Sequence, residues 1–277
     1  MIQEFQNYLR EIRGYSECTI MAYGKDLKEF ARFMKSCDQG SRWSTITRDD
    51  IDKFISYGVN RGLKSSTTNQ QVGAIKAFYY YLMRQGLMSS NPARYESRRK
   101  VAKTIPNTIP VEDIKRALEV STGTIHIILE TLFYTGIRVQ ELLDLRKCDI
   151  NVNNDRIRIQ GKGMKERVVL TTPDNMRSLA KYSQYRQPTE PIFKEWTQRE
   201  IRYAIWGLLK NNSTAKQLSP HAIRHTFATE VAKTGANVTT LASMMGHNDI
   251  RTTQKYIDMS QNNSAAVFEL YHKTLSH

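Results

Sequence analysis

The sequence predicts a mainly α-helical protein with a small β-hairpin, made of an N-terminal helical bundle and a C-terminal mixed α/β domain. Three observations lead there. Apolar residues recur at helical spacing through the first hundred residues, and no alternating stretch interrupts them. The stretch "NPARYESRRKVAKTIPNTIP" then breaks the periodicity with three prolines. Beyond it helical spacing returns, giving way once to a period of two on either side of a Gly-Lys-Gly turn.

Taken in order, "IQEFQNYLREI" places Ile2, Phe5, Leu9 and Ile12 on one helical face. "TIMAYGKDLKEFARFMKSC" repeats the pattern with Ile20, Tyr23, Leu27, Phe30, Phe33 and Met34. Thr47 reads as an N-cap, with Asp49 and Asp50 in the first turn and Ile51, Phe54 and Ile55 following. A fourth helix, "SSTTNQQVGAIKAFYYYLMRQG", ends at Gly86. These four make the bundle, residues 1–92. Residues 93–108 read as a domain linker, made basic by Arg94, Arg98, Arg99, Lys100 and Lys103 against Glu96 alone. It is either a solvated tether or a segment that lies along a phosphate backbone.

The second domain, 109–258, opens with "PVEDIKRAL", whose proline and acidic residues suit a first turn. "IHIILETLFYTG" is apolar enough to be buried, and "RVQELLDL" resumes the helix after Gly136. In "DRIRIQGKGMKERVVLT" the alternation runs through Ile157 and Ile159, breaks at "GKG" and resumes at Val168 and Leu170. Helices are expected at about 173–186, 197–211, 220–234 and 237–245, and a further one in the tail, 259–277, where "SAAVFELYHKTL" aligns Val267, Leu270, Tyr271 and Leu275.

Composition narrows the function. The 277 residues hold 41 Lys+Arg against 27 Asp+Glu, a formal charge of +14, and such an excess points to a polyanionic partner such as nucleic acid. Cys18, Cys37 and Cys148 have no metal-ligand spacing and read as reduced thiols of a cytoplasmic protein. The N-terminus carries charges throughout, unlike a signal peptide, and no apolar run reaches the ~18 residues of a membrane span.

The polar residues of the second domain converge on one chemistry. In "SPHAIRHTFAT", Ser219 suits an N-cap, and His221 and Arg224, three apart, share a helical face near a positive dipole end that favours anions. Alone, this favours an ordinary helix start. Arg138 follows a glycine break between apolar helices, where it needs either Glu141 or a ligand phosphate as counter-charge. Lys162 sits between the glycines of the hairpin turn, solvated or reaching into a DNA groove, and Lys165 and Arg167 just beyond it are expected on DNA together with Arg98, Arg99 and Lys100. His247 follows Gly246, and Tyr256 comes nine residues later. There is no carboxylate pair or metal-ligand cluster, and "GKGMKE" lacks the P-loop pattern. Two arginines, two histidines, a lysine and a tyrosine suit phosphoryl transfer from DNA to a protein hydroxyl, with guanidiniums in place of a metal ion.

At this point the chain resembles the tyrosine recombinase (phage integrase) family, and within it the Xer-type site-specific recombinases. Four motifs in the family's order carry the resemblance: "TGIRVQELLDL", "GKGMKER", "HAIRHTFAT" and "GHNDIRTTQKY". It implies a SAM-like, core-binding N-terminal bundle and an integrase-type catalytic domain. Arg138 and Arg224 would hold the scissile phosphate, Lys162 would protonate the 5′-hydroxyl, His221 would exchange a proton near the nucleophile, His247 would hydrogen-bond the phosphate, and Tyr256 would form the 3′-phosphotyrosine. Glu141 and His225 would be supporting residues. The resemblance further implies a C-shaped clamp on duplex DNA, a homotetramer or a heterotetramer with a second recombinase, a Holliday junction, a tail helix exchanged between protomers, and no metal or cofactor. Gln140 stands where a small residue is usual. The reading is thus a site-specific DNA recombinase of the Xer kind, serving chromosome dimer resolution, with mobile-element integration, type IB topoisomerase-like relaxation and a non-catalytic DNA-binding role as the alternatives.

Overall fold

The computed structural model describes residues 1–37, 42–96, 99–101, 106–161, 166–246, 249 and 251–261, the side chains of Arg251 and 258–261 excepted. The chain divides into two units, Met1–Lys103 and Thr104–His277.

In the first unit, helix starts fall where side chains can take up orphan backbone N–H groups. α1 (Ile2–Glu11) is followed by α2 (Glu17–Ser36), where the Ser16 side chain accepts from the Thr19 amide. α3 (Arg48–Asn60) starts in a Thr47–Asp50 capping box, and α4 (Ser65–Arg84) closes the bundle. Phe5, Leu9, Ile20, Leu27, Phe30, Ile51, Phe54, Ile75, Phe78 and Leu82 form the core. Ile12, expected on the buried face of α1, is 63% exposed because the helix ends at Glu11. The chain after α4 is fastened to the bundle. Asn91 donates to the Lys76 carbonyl, the Glu96 carboxylate accepts from Arg48 at 3.1 Å, and the Asn69 amide pairs twice with the Arg99 backbone at 2.8 and 2.9 Å.

The second unit runs α5 (Val111–Val120), α6 (Gly123–Thr135), α7 (Val139–Leu143), β1 (Ile150–Asn151), β2 (Arg156–Gln160), β3 (Glu166–Leu170), α8 (Pro173–Tyr182), α9 (Gln198–Lys210), α10 (Pro220–Lys233), α11 (Val238–Met245) and α12 (Arg251–Gln261). Ile128, Leu129 and Leu132 of α6 lie at the centre of its core with Leu142, Ile157, Ile159, Ile201, Ile205 and Ile223. A smaller cluster of Ala228, Ala232, Leu241, Met245 and Tyr256 joins α10, α11 and α12. α12 carries no forecast from the sequence, and the expected tail helix beyond residue 261 lies outside the described residues. Among the described residues no helix is long and apolar enough to cross a membrane.

The sheet is antiparallel in the order β1-β2-β3. Its register corrects the expected phase of β3. Ile157 pairs with Val169 and Ile159 with Arg167, so Val169 faces inward at 6% exposure, whereas Val168 and Leu170 face out at 57% and 63%. With a side-chain period of two, that one-residue difference turns Arg167 to the inner face.

Candidate active site

The site begins where α6 ends. Gly136 closes the helix at φ 62°, and a Cβ there would run into the Phe227 ring of α10. The chain then turns into α7 with Arg138 at its N-cap, whose amide donates to Glu141 Oε2 at 2.8 Å. The Arg138 guanidinium, 43% exposed, donates to Glu141 Oε1 at 2.7 Å and to the Gly246 carbonyl at 3.1 Å. The Arg–Glu pair weighed as one alternative from the sequence is thus present, with the guanidinium still partly open to solvent.

α10 supplies the second arginine. Ser219 caps the helix and Pro220 occupies its first turn, as expected. Arg224 is buried at 3% exposure and donates to the carbonyls of Gly136, at 2.5 Å, and Met245. Burial and the neighbouring Arg138 lower its pKa to about 10, so it remains cationic at neutral pH. Glu141 Oε2 lies 4.0 Å from it. Burial alone would raise the Glu141 pKa, but hydrogen bonds from Arg167 and the Arg138 amide, with both positive charges, hold it at about 2.

Tyr256 projects from α12 into the α10–α11 cluster and is 1% exposed. Its hydroxyl lies 2.5 Å from His225 Nδ1, and the His225 ring packs edge-on against His221 with centroids 4.2 Å apart. Burial pushes the phenol pKa up to about 12, against the pull of Arg224 and Arg138. Loss of hydration and the charges of Arg224, Lys255 and Arg138 lower that of His221, which favours a neutral imidazole. Lys255 stands 5.0 Å from the Tyr256 ring centre, and burial lowers its pKa too. Arg138, His221 and Arg224 open into one cleft of about 480 Å³, which Gln198 and Arg202 of α9 also line.

Arg138, Glu141, His221, Arg224, His225 and Tyr256 are therefore gathered in one place. Lys162, Lys165, His247 and Arg98 lie outside the described residues; Arg99 and Lys100 are exposed on the first unit. Arg167, expected on DNA, is instead turned inward. Its side chain is 10% exposed and grips Glu141 through both terminal nitrogens at 2.9 and 2.7 Å, while Nε donates to the Met244 carbonyl at 3.0 Å. The cause is the β3 register. The sequence also gave His225 a structural role only, yet it touches the tyrosine hydroxyl, and Lys255 carried no signal beyond its place beside Tyr256. Among the described residues no His, Cys, Asp and Glu group is gathered that could hold a metal ion.

The arrangement offers two fixed guanidiniums for an anion, two imidazoles for protons and a hydroxyl nucleophile within one cluster. Comparison with known proteins places the chain in a family. Residues 108–263 match the model of the phage integrase family, and residues 2–86 that of its N-terminal SAM-like domain. Tyrosine recombinase XerD of Oceanobacillus iheyensis is 29% identical, over 98% of this chain and 97% of that one. Tyrosine recombinase XerC of Pelobacter propionicus is 30% identical, over 98% and 94%. In fold, the chain is similar to XerH site-specific recombinase bound to a palindromic difH substrate, at a TM-score of 0.76 and 18% identity, over 98% of this chain and 85% of that one. A lambda integrase dimer bound to a core site gives 0.69 at 15% identity, over 90% and 94%. With more than half of its length matched by the family model and XerD and XerC relatives aligned end to end, the chain belongs to the phage integrase family and is a tyrosine recombinase of the Xer type.

Proposed function

We propose that these side chains form the phosphotyrosine centre of a recombinase acting on duplex DNA at a specific site. Tyr256 attacks the scissile phosphorus, the 5′-oxygen leaves with a proton from Lys162, and a 3′-phosphotyrosine remains. Reversal with the 5′-hydroxyl of a partner strand reseals the backbone, because the phosphotyrosine keeps the energy of the broken diester. Arg138 and Arg224 bind the non-bridging oxygens and counter the charge that builds on the pentavalent phosphate. His221 takes the phenol proton and His247 hydrogen-bonds the phosphate. The observation that carries this reading is the meeting of Arg138 and Arg224 on Glu141 and on the end of α11, in the cluster that holds Tyr256.

Assembly on DNA as a tetramer, of this chain alone or with a second recombinase, follows from the need to pair two duplexes. Tail residues 259–277 would tie neighbours together. The end-to-end alignment with XerD and XerC favours chromosome dimer resolution in the cytoplasm over integration of a mobile element. The test is covalent capture from a random-sequence duplex library, followed by sequencing of the bound strands. Wild type should recover one family of sites through a 3′ linkage, and Tyr256→Phe none. Arg138→Ala and Arg224→Ala should bind the recovered site but cleave it ~10²-fold more slowly or worse. Adducts from Tyr256→Phe would refute the nucleophile. Plasmids carrying two recovered sites should give recombinants; relaxation alone would indicate a topoisomerase.

A further inference from the structure

Three guanidiniums meet three successive carbonyls at the end of α11. Arg167 Nε donates to Met244, Arg224 to Met245 and Arg138 to Gly246. This is the negative end of a helix dipole, where cations are favoured, and Gly246 ends the helix in the left-handed region at φ 60°. Two of the three arginines are the phosphate ligands proposed above. The third, Arg167, comes from the hairpin, and a Cβ on Gly246 would lie 2.6 Å from its Nη1.

We propose that Arg167 is a positioning residue of the recombinase site, acting through Glu141 and the end of α11 to aim Arg138. The proposal rests on the phosphotyrosine reading and adds a residue to it. The Arg167 fork takes both oxygens of Glu141, and those same oxygens accept from the Arg138 side chain and amide. Arg167 thus fixes the carboxylate plane, and the carboxylate fixes Arg138. Its third contact, with Met244, ties that geometry to α11, whose end receives both phosphate-binding arginines. Three of its five N–H groups are engaged within the protein, and its side chain is nearly covered, so the expected phosphate contact gives way to an internal one. Lysine offers no planar fork and cannot replace it.

The experiment uses full-length protein and a nicked duplex carrying the site recovered by covalent capture. Arg167→Lys and Arg167→Gln should keep DNA affinity within ~2-fold and leave its salt dependence unchanged, since no phosphate contact is lost. Single-turnover cleavage at saturating DNA should fall ~10²-fold, as for misplaced catalytic groups. The pH profile of cleavage, compared with the pH at which circular dichroism shows each variant to unfold, separates this role from loss of folding. Glu141 faces Arg138, Arg167 and Arg224, and without Arg167 it takes up a proton at higher pH, so cleavage gains an acid limb that wild type lacks. Adding Glu141→Gln to Arg167→Gln should remove that limb without a further full loss of rate. Weaker binding with a salt slope lower by about one and unchanged cleavage would identify a phosphate ligand and overturn the proposal. Cleavage equal to wild type would overturn it as well. No Tyr256-dependent adduct from wild type would instead refute the recombinase reading, and the proposal with it.

Discussion

Glutamine in place of Glu141 removes the carboxylate that binds Arg138 and Arg167 and stands 4.0 Å from Arg224. The size of its contribution follows from its pKa. The carboxyl ionises at about 2 in the folded chain against an ordinary 4.5, and each pH unit of difference is worth ~1.4 kcal/mol, so the ionised form stabilises the fold by about 3 kcal/mol. The group is 8% exposed, so solvent screening takes little of this away. The sign is fixed by the depressed value. Between pH 4.5 and 2 the unfolded chain binds the proton and the folded chain does not. The contribution is therefore complete above pH 4.5, drops to about half near pH 3 and vanishes below 2. Equilibrium urea unfolding of full-length wild type and Glu141→Gln, followed through Trp196 packed on the second core, measures it. The variant should be less stable by about 3 kcal/mol at pH 7.5, a midpoint shift of roughly 1–2 M for a slope of ~2 kcal/mol per M. The gap should shrink as the pH is lowered through 4. A variant within ~0.5 kcal/mol of wild type at pH 7.5, or a gap independent of pH, would refute the reasoning.

Gly136→Ala should destabilise the second unit by more than ~1 kcal/mol in thermal unfolding, since it adds a strained φ and a collision with Phe227, and it should slow cleavage by moving the carbonyl that holds Arg224. Asn69→Ala should speed trypsin cleavage after Arg99 and Lys100 several-fold without changing the melting temperature, because it frees that backbone from α4. In alkaline absorbance titration, the difference between wild type and Tyr256→Phe should show one phenol still un-ionised at pH 11, in line with its pKa of about 12. Ionisation near 10 would mean that the ring is not buried.

The helices were readable because each carries its own signals: Thr47 and Asp50 box the start of α3, Ser219 and Pro220 start α10, and Gly136 ends α6. That Arg138, His221, Arg224 and Tyr256 would meet was readable because the proposed chemistry needs those side chains together, in motifs that the family spaces alike. What failed was local information about tertiary contacts. "ERVVL" offers apolar residues in both strand phases, and alternation favours the wrong one when an inward position belongs to an arginine. Glu141, 26 residues back, makes that position tolerable by supplying the counter-charge. His225 was assigned to the fold for the same reason. Its contact with Tyr256 spans 31 residues and depends on how α12 packs, an element with no apolar periodicity strong enough to announce it.

The resting chemistry of Tyr256 sets a condition on its proposed role as the nucleophile. With a phenol pKa of about 12, forming the phenolate at pH 7.5 costs about 6 kcal/mol, and a DNA phosphate arriving nearby adds a negative charge that disfavours it further. Arg224 and Arg138 already act on the phenol in the absence of DNA, so positive charge alone does not make it a nucleophile. The proton must leave as the bond to phosphorus forms, to a base within hydrogen-bond reach. His225 Nδ1 meets that distance at 2.5 Å, and His221 lies beside it with its pKa lowered, and therefore poised as a neutral acceptor. A hydroxyl on a residue 1% exposed must also come out of its cluster to meet a phosphate in the cleft. A nucleophilic role for Tyr256 therefore requires that the burial which raises its pKa be undone first.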